Sequence, residues 1–191
     1  AGLLSPAAAS GQNLTPRTYW PAPKGTEIIV LGYAYQTGDV VTDPSLPIVG
    51  VDSQINTALA AYVRTFSLWG RSTNLSLELP YSSGTTKGAI DGIDLNRDFA
   101  GFNDAGISMT INLLGAPALT REDFLALRQN PRPLIGINLR LVPPTGYYEE
   151  DRLINVGANR WAARIQVGTI LPLRPRWLLE IAAGAWYFSD D

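Results

Sequence analysis

The sequence predicts an all-β protein, an antiparallel up-and-down transmembrane β-barrel of which about seven strands are present. Three observations carry that prediction. First, Asn74–Tyr81 reads Asn-Leu-Ser-Leu-Glu-Leu-Pro-Tyr. A period of two puts Leu75, Leu77 and Leu79 on one face of a strand and Asn74, Ser76 and Glu78 on the other, and the same pattern recurs along the chain. Second, the apolar faces carry no charge in their strand interiors. A lipid-facing surface requires this, because a charge near the bilayer midplane costs about 2–4 kcal/mol. Third, long and short connections alternate, as in outer-membrane barrels with short periplasmic turns and long outer loops.

Composition bounds the function. Charged residues make up 17% of the 191 residues and hydrophobic ones 46%, against roughly 25% charged in ordinary soluble domains. A net charge of -2 offers no basic surface to nucleic acid. There is no Cys and no His, which removes thiol chemistry, the usual zinc ligand sets and every His-based triad. No run approaches the 18 apolar residues of a membrane helix. A removed signal peptide would account for a start at Ala1-Gly-Leu-Leu without Met, and so would a trimmed chain.

Along the chain, Ala1–Gly25 has no period, and Pro6, Pro16, Pro21 and Pro23 predict an extended lead-in docked by its aromatics. Residues 26–191 form the barrel domain. The first strand is expected at about Glu27–Thr37, with Ile29, Leu31, Tyr33 and Tyr35 facing out. After a polar loop, Gly38–Asp52, the second strand spans about Ser53–Leu68, with Ile55, Leu59, Ala61 and Val63 as the apolar face. Asn56, Ala58, Ala60, Tyr62 and Arg64 share the other. A short turn, Trp69-Gly-Arg-Ser-Thr73, leads into the leucine strand. Centring this hairpin on Arg71 sets Val63 against Leu79 and Arg64 against Glu78, a favourable opposite-charge pair.

Ser82–Asn103 is expected as a long polar loop. The fourth strand, about Asp104–Leu114, opposes Ile107, Met109, Ile111 and Leu113 to Ser108, Thr110 and Asn112. Thr120–Arg128 reads as a short helix capped by Thr120, with Glu122 and Asp123 in its first turn. The fifth strand, about Pro133–Val142, turns Ile135, Ile137, Leu139 and Leu141 away from Asn138 and Arg140. A loop opened by Pro143–Asp151 follows. The sixth strand, about Ala158–Leu171, separates Trp161, Ala163, Ile165 and Val167 from Arg160, Arg164 and Gln166. The seventh, about Trp177–Phe188, separates Leu179, Ile181, Ala183 and Ala185 from Glu180, Ala182 and Gly184. Loop parity places the N-terminus in the periplasm. Bacterial single-chain barrels have even strand numbers and close with about eight or more, so seven strands predict part of a larger barrel.

The polar faces supply the candidate lumen-lining residues: Arg64, Glu78, Asn112, Asn138, Arg140, Arg160, Arg164 and Glu180. Charges there could set a pore's preference or serve as structural ladders that fill the lumen. Trp69, Trp161, Trp177, Tyr33 and Tyr35 are candidates for the interfacial aromatic girdle, as are Trp20 and Trp186. The carboxylates Asp98 and Asp104, or Glu149 and Glu150, sit in polar loops, where solvated charge is the simpler expectation than acid–base chemistry. Asp91-Gly-Ile-Asp-Leu-Asn96 lacks the spacing of an EF-hand loop. No catalytic residue, metal site or cofactor is expected, and no enzyme.

Several stretches resemble the outer-membrane transporter-like family named for the MetA pathway of phenol degradation. They are Pro16–Gly25, Ser67-Leu-Trp-Gly-Arg71 with Leu77-Glu-Leu-Pro-Tyr81, Asp98-Phe-Ala-Gly-Phe-Asn-Asp104, Val142-Pro-Pro-Thr-Gly-Tyr147 and Asn155-Val-Gly-Ala-Asn-Arg-Trp161. The resemblance covers most of the chain from about residue 14. It implies a barrel of roughly twelve strands that passes small, aromatic or hydrophobic compounds, and this chain stops short of that number. The expected function is therefore passive passage of small solutes through a polar lumen in a bacterial outer membrane. Outer-membrane lipid and the solute are the expected partners, self-association or another protein chain a further one, and nucleic acid is excluded. The rival is a structural or binding envelope protein that completes its sheet with another chain.

Overall fold

The computed structural model describes residues 17–38, 49–90, 93–152, 155–174 and 177–190. Residues 1–16 of the expected lead-in, most of the loop after the first strand, and Asp91 lie outside these. Strands β1 (Glu27–Gly38), β2 (Val49–Leu68), β3 (Arg71–Ile90), β4 (Ile93–Phe102), β5 (Gly106–Leu114), β6 (Leu134–Val142), β7 (Ala162–Arg174) and β8 (Trp177–Phe188) form one antiparallel sheet. Its order is β1-β2-β3-β5-β6-β7-β8, with β4 paired to β3. Helix α1 (Arg121–Gln129) lies in the β5–β6 connection. The result is a half-barrel with β1 and β8 at its edges.

The expected Ser82–Asn103 loop is instead a hairpin. β3 continues to Ile90 and β4 returns beside it, from Ile90↔Ile93 to Tyr81↔Phe102. β5 then follows the same edge of β3, from Glu78↔Gly106 to Thr73↔Ile111. The register moves by one residue between the two, as across a β-bulge. Small polar residues such as Ser83, Thr85 and Thr86 gave this extension no apolar period to read.

The β2–β3 turn also differs from the expectation. It has two residues, Trp69 and Gly70, both with positive φ (50° and 74°), as a type I′ turn requires. Leu68 therefore faces Arg71, Arg64 faces Leu75, and Ala61 faces Glu78. The register centred on Arg71 is wrong by three residues, and an odd slip turns β2 over. Ala58, Ala60, Tyr62 and Arg64 share the outer face with Leu77 and Leu79, while Leu59, Ala61 and Val63 point inward. Both faces of β2 are apolar, so alternation alone did not choose between them.

Elsewhere the faces follow the sequence. Leu31 of β1 is 79% exposed and Ile181 of β8 54%, and Leu79, Leu139, Leu141, Ile165 and Val167 are exposed between them. At about 3.3 Å per residue, Trp69 to Tyr81 is about 40 Å of strand. Tilted by about 40°, that spans about 30 Å, which matches an apolar band between aromatic girdles. Arg64 and Glu27 are charges on this outer face, 3.6 Å apart. They sit at the start of β1, where the apolar face begins.

The core lies at the short-turn end. Tyr19, Ala116, Leu134 and Ile170 are buried together, with Trp20, Leu178 and Ala182 against them. The β5–β6 connection is held there by Ala118 N donating to Gly70 O (2.9 Å) and Ser72 N to Ala116 O (3.2 Å). Helix α1 opens with a capping box. Thr120 Oγ1 accepts from Asp123 N, and the Asp123 carboxylate accepts from Thr120 N.

Candidate pore lining

The inner side chains of β3 and β5–β8 stack in rows set by the register. Nearest the short turns lie Leu134, Ile170 and Glu180, followed by Asn112, Gly136, Gly168 and Ala182. Next come Asn74, Thr110, Asn138, Gln166 and Gly184, then Ser76, Ser108, Arg140, Arg164 and Trp186. Glu78 with Gly106 stands one row further.

Two sets of hydrogen bonds tie these rows together. Arg140 Nη2 donates to Glu78 Oε2 at 2.7 Å and Nη1 to Ser108 Oγ at 3.2 Å. Gly106 makes the ion pair fit, since a Cβ there would stand 2.7 Å from Arg140 Nη2 and 3.1 Å from Glu78 Oε2. Asn138 Nδ2 donates to Thr110 Oγ1 (2.9 Å), and Arg164 Nη2 donates to Asn138 Oδ1 (3.0 Å). The Arg164 guanidinium lies 5.3 Å from the Trp186 ring centre, within cation–π range.

Below this network the lead-in forms a floor. Arg17 N donates to Glu180 Oε2 (2.8 Å) on β8. The Tyr19 ring then fills the hollow left by two glycines: a Cβ at Gly136 or Gly168 would run into it. Its hydroxyl donates to Gln166 Oε1 (3.1 Å). Further on, Lys24 N donates to Leu119 O, Gly25 N to Thr65 O and Thr65 N to Thr26 O, each at 2.8 Å. The segment thus crosses the inner face from β8 to β2. Beside the polar rows, on the same inner face, β1 and β2 present an apolar stretch of Ile28, Val30, Leu59, Ala61 and Val63.

Of the expected lumen residues, Glu78, Asn112, Asn138, Arg140, Arg164 and Glu180 lie on the inner face. Arg160, just before β7, places its guanidinium 4.9 Å from the Phe188 ring, on the same side. Arg64 does not join them, because the two-residue turn sends it outward. Glu78 pairs with Arg140 instead. Trp69 and Trp177 are exposed at the two short turns. Trp161, Tyr33 and Tyr35 are exposed toward the other end. Trp20 and Trp186 sit inside, not in the girdle. Sequence reasoning missed Tyr19, Trp186 and Gly106. The one available signal was glycine inside strands, which marks close approach of another group. A groove of about 470 Å³ lies on the opposite, outer face of β5–β8, between Leu139, Leu141, Ile165 and Tyr187 over Ala163 and Ala185. Arg140, Arg164 and Trp186 also border it.

At the long-loop end the β6–β7 loop folds onto β4. Asp104 Oδ1 accepts from Thr145 N (2.9 Å) and Gly146 N (2.7 Å), and Oδ2 from Ala158 N (2.7 Å). Both of its oxygens are thus used to hold backbone. Glu149 accepts from Arg97 and Arg152, each at 2.7 Å, and from the Tyr147 hydroxyl. The Arg97 guanidinium first, then Tyr147 and Arg152, hold the Glu149 carboxyl below the usual range, and Glu149 in turn raises the Tyr147 phenol.

A curved antiparallel sheet with an apolar, charge-poor outer face and a charged inner face is the wall of a membrane-spanning β-barrel. The family model described as "Putative MetA-pathway of phenol degradation" matches residues 31–191, and the chain belongs to that family. An outer membrane channel from Pseudomonas putida F1 has a similar structure, with a TM-score of 0.64 and 20% identity. The match covers 93% of this chain and 61% of that one. The chain therefore spans about three fifths of that channel's length, and at this identity the likeness is one of fold. A search of curated proteins finds no match.

Proposed function

We propose that the chain is the greater part of an outer-membrane channel that passes small solutes, aromatic ones among them, without a covalent step. The observation that carries this is the division of the inner face above the Tyr19 floor. One wall is apolar (Ile28, Val30, Leu59, Val63) and the other bears Glu78, Arg140 and Arg164. A path lined this way solvates the ring of a small aromatic on one side and its polar substituent on the other. The outer face meets lipid, and the short-turn end, where residues 17–25 form the floor, faces the periplasm. Residues 26–191 are barrel wall. The family's association with phenol degradation supports an aromatic solute. The test is planar-bilayer conductance of the full-length protein together with phenol influx into loaded liposomes. Ohmic steps and phenol entry above protein-free liposomes are expected. A silent bilayer with a correctly folded, heat-modifiable protein would favour the structural-protein alternative.

A further inference from the structure

We infer that Arg164 and Trp186 form a subsite for the carboxylate of a small aromatic acid, so that the lumen selects aryl carboxylates over neutral aromatics. This rests on the channel proposal above. The two inner arginines of one row are not equivalent. Arg140 is committed, with Nη2 on Glu78 at 2.7 Å and Nη1 on Ser108 at 3.2 Å. Arg164 has no carboxylate within 4.0 Å among the described residues. Its hydrogen-bond partner is the neutral Asn138, and its Nε is enclosed without one. Glu78 therefore answers one of two adjacent positive charges, and the row keeps an excess of one.

The aromatic side of the subsite is built on β8. Trp186 lies 5.3 Å from the Arg164 guanidinium and stacks on Phe188, ring centres 5.8 Å apart and planes 12° from parallel. Arg160 covers Phe188 at 4.9 Å. A guanidinium half-withdrawn from water, beside a stacking surface, suits a planar ring that carries an anion. The carboxylate gains a charge-assisted hydrogen bond, and the ring gains the edge of the aromatic stack. A neutral phenol keeps the second gain and forgoes most of the first.

Bilayer recordings of the full-length protein test this through the reversal potential in a KCl gradient, with block by benzoate and by benzyl alcohol as probes. Wild type should prefer chloride, and benzoate should block at concentrations about tenfold lower than benzyl alcohol, as one charged hydrogen bond implies. Arg164→Gln should abolish the chloride preference and bring benzoate to the level of benzyl alcohol. Trp186→Leu should weaken block by both and leave the ion preference intact. Arg164→Lys guards against misfolding of the glutamine variant, because it should keep the ion preference while weakening benzoate block. A conducting wild type that prefers potassium, or an Arg164→Gln channel indistinguishable from wild type, would overturn the subsite and leave the channel standing. Absence of any conductance would overturn both.

Discussion

The two halves of the inner face are built on different physics. On β5–β7 the inner side chains are tied to one another by hydrogen bonds that run from Glu78 through Arg140 and from Thr110 through Asn138 to Arg164. The lead-in docks across them through Tyr19 and Gln166. On β1–β2 the inner side chains Ile28, Val30, Leu59, Ala61 and Val63 form an apolar stretch between Thr57 and Thr65, which bond Ser82 (2.9 Å) and Asn74 (2.8 Å), and the two strands are joined by an uninterrupted backbone ladder. The polar half is specific, since most of its groups are tied to a named partner, the Asn112 amide and Arg164 Nε excepted, and substitution leaves another group stranded. The apolar half is permissive, because backbone bonds do not depend on which methyl group lies above them. The same contrast decides legibility. Where one face is polar, alternation tells inside from outside, and where both are apolar it does not.

The sharpest way to break this comparison is to place one charge on either side of β2. Ala60→Arg points outward, level with Leu31 and Leu79, and should cost about 2–4 kcal/mol of stability in lipid. Ala61→Arg points inward, opposite Glu78, and should be tolerated. Urea unfolding from liposomes measures both, and an Ala61 variant worse than the Ala60 one would reverse the assignment of faces.

A smaller effect is expected from crowding the two halves. Gly168→Val drives a side chain into the Tyr19 ring and should cost about 1–3 kcal/mol while freeing the lead-in. Trypsin should then cut after Lys24 several times faster than in wild type. Gly32→Val on the apolar wall is the control. A Cβ there meets Leu59 at an ordinary 3.7 Å, so Lys24 should stay protected.

Glu78→Gln should cost about 1–2 kcal/mol, between the values for exposed and buried ion pairs, because Arg140 is left half-buried without its counter-charge. A lowered melting temperature in detergent reads this. An unchanged one would mean that Ser108 and water suffice for Arg140, and that the polar half is as permissive as the other.

The smallest effect lies in the loop above both halves. The Glu149 carboxyl is held below its ordinary range, chiefly by Arg97. Its contribution is therefore present above the unfolded carboxylate range and is lost as pH falls through the depressed folded value. Nicking of the β6–β7 loop by an acid-active protease should rise between about pH 5 and about pH 3 more in wild type than in Arg97→Gln, where that linkage is already gone. Equal pH dependence in the two would remove Arg97 from the account.

The sequence by itself determined most of the strands, where α1 begins, and which way β3 and β5–β8 face. All of these follow from local period and local capping, and residues such as Leu77 beside Glu78 or Leu139 beside Arg140 fix the answer without help. The tertiary structure decided the rest. The β2–β3 register hung on two residues, Trp69 and Gly70, that adopt positive φ together, although a tryptophan there gives little hint of such a turn. β4 formed because a pairing edge of β3 was available, with no apolar stripe to announce it. Tyr19 found Gly168 almost the whole chain away, and Glu78 found Arg140 on a strand two places across the sheet. A strand's period constrains one side chain against the next, whereas these partners were chosen by which strands came to lie side by side.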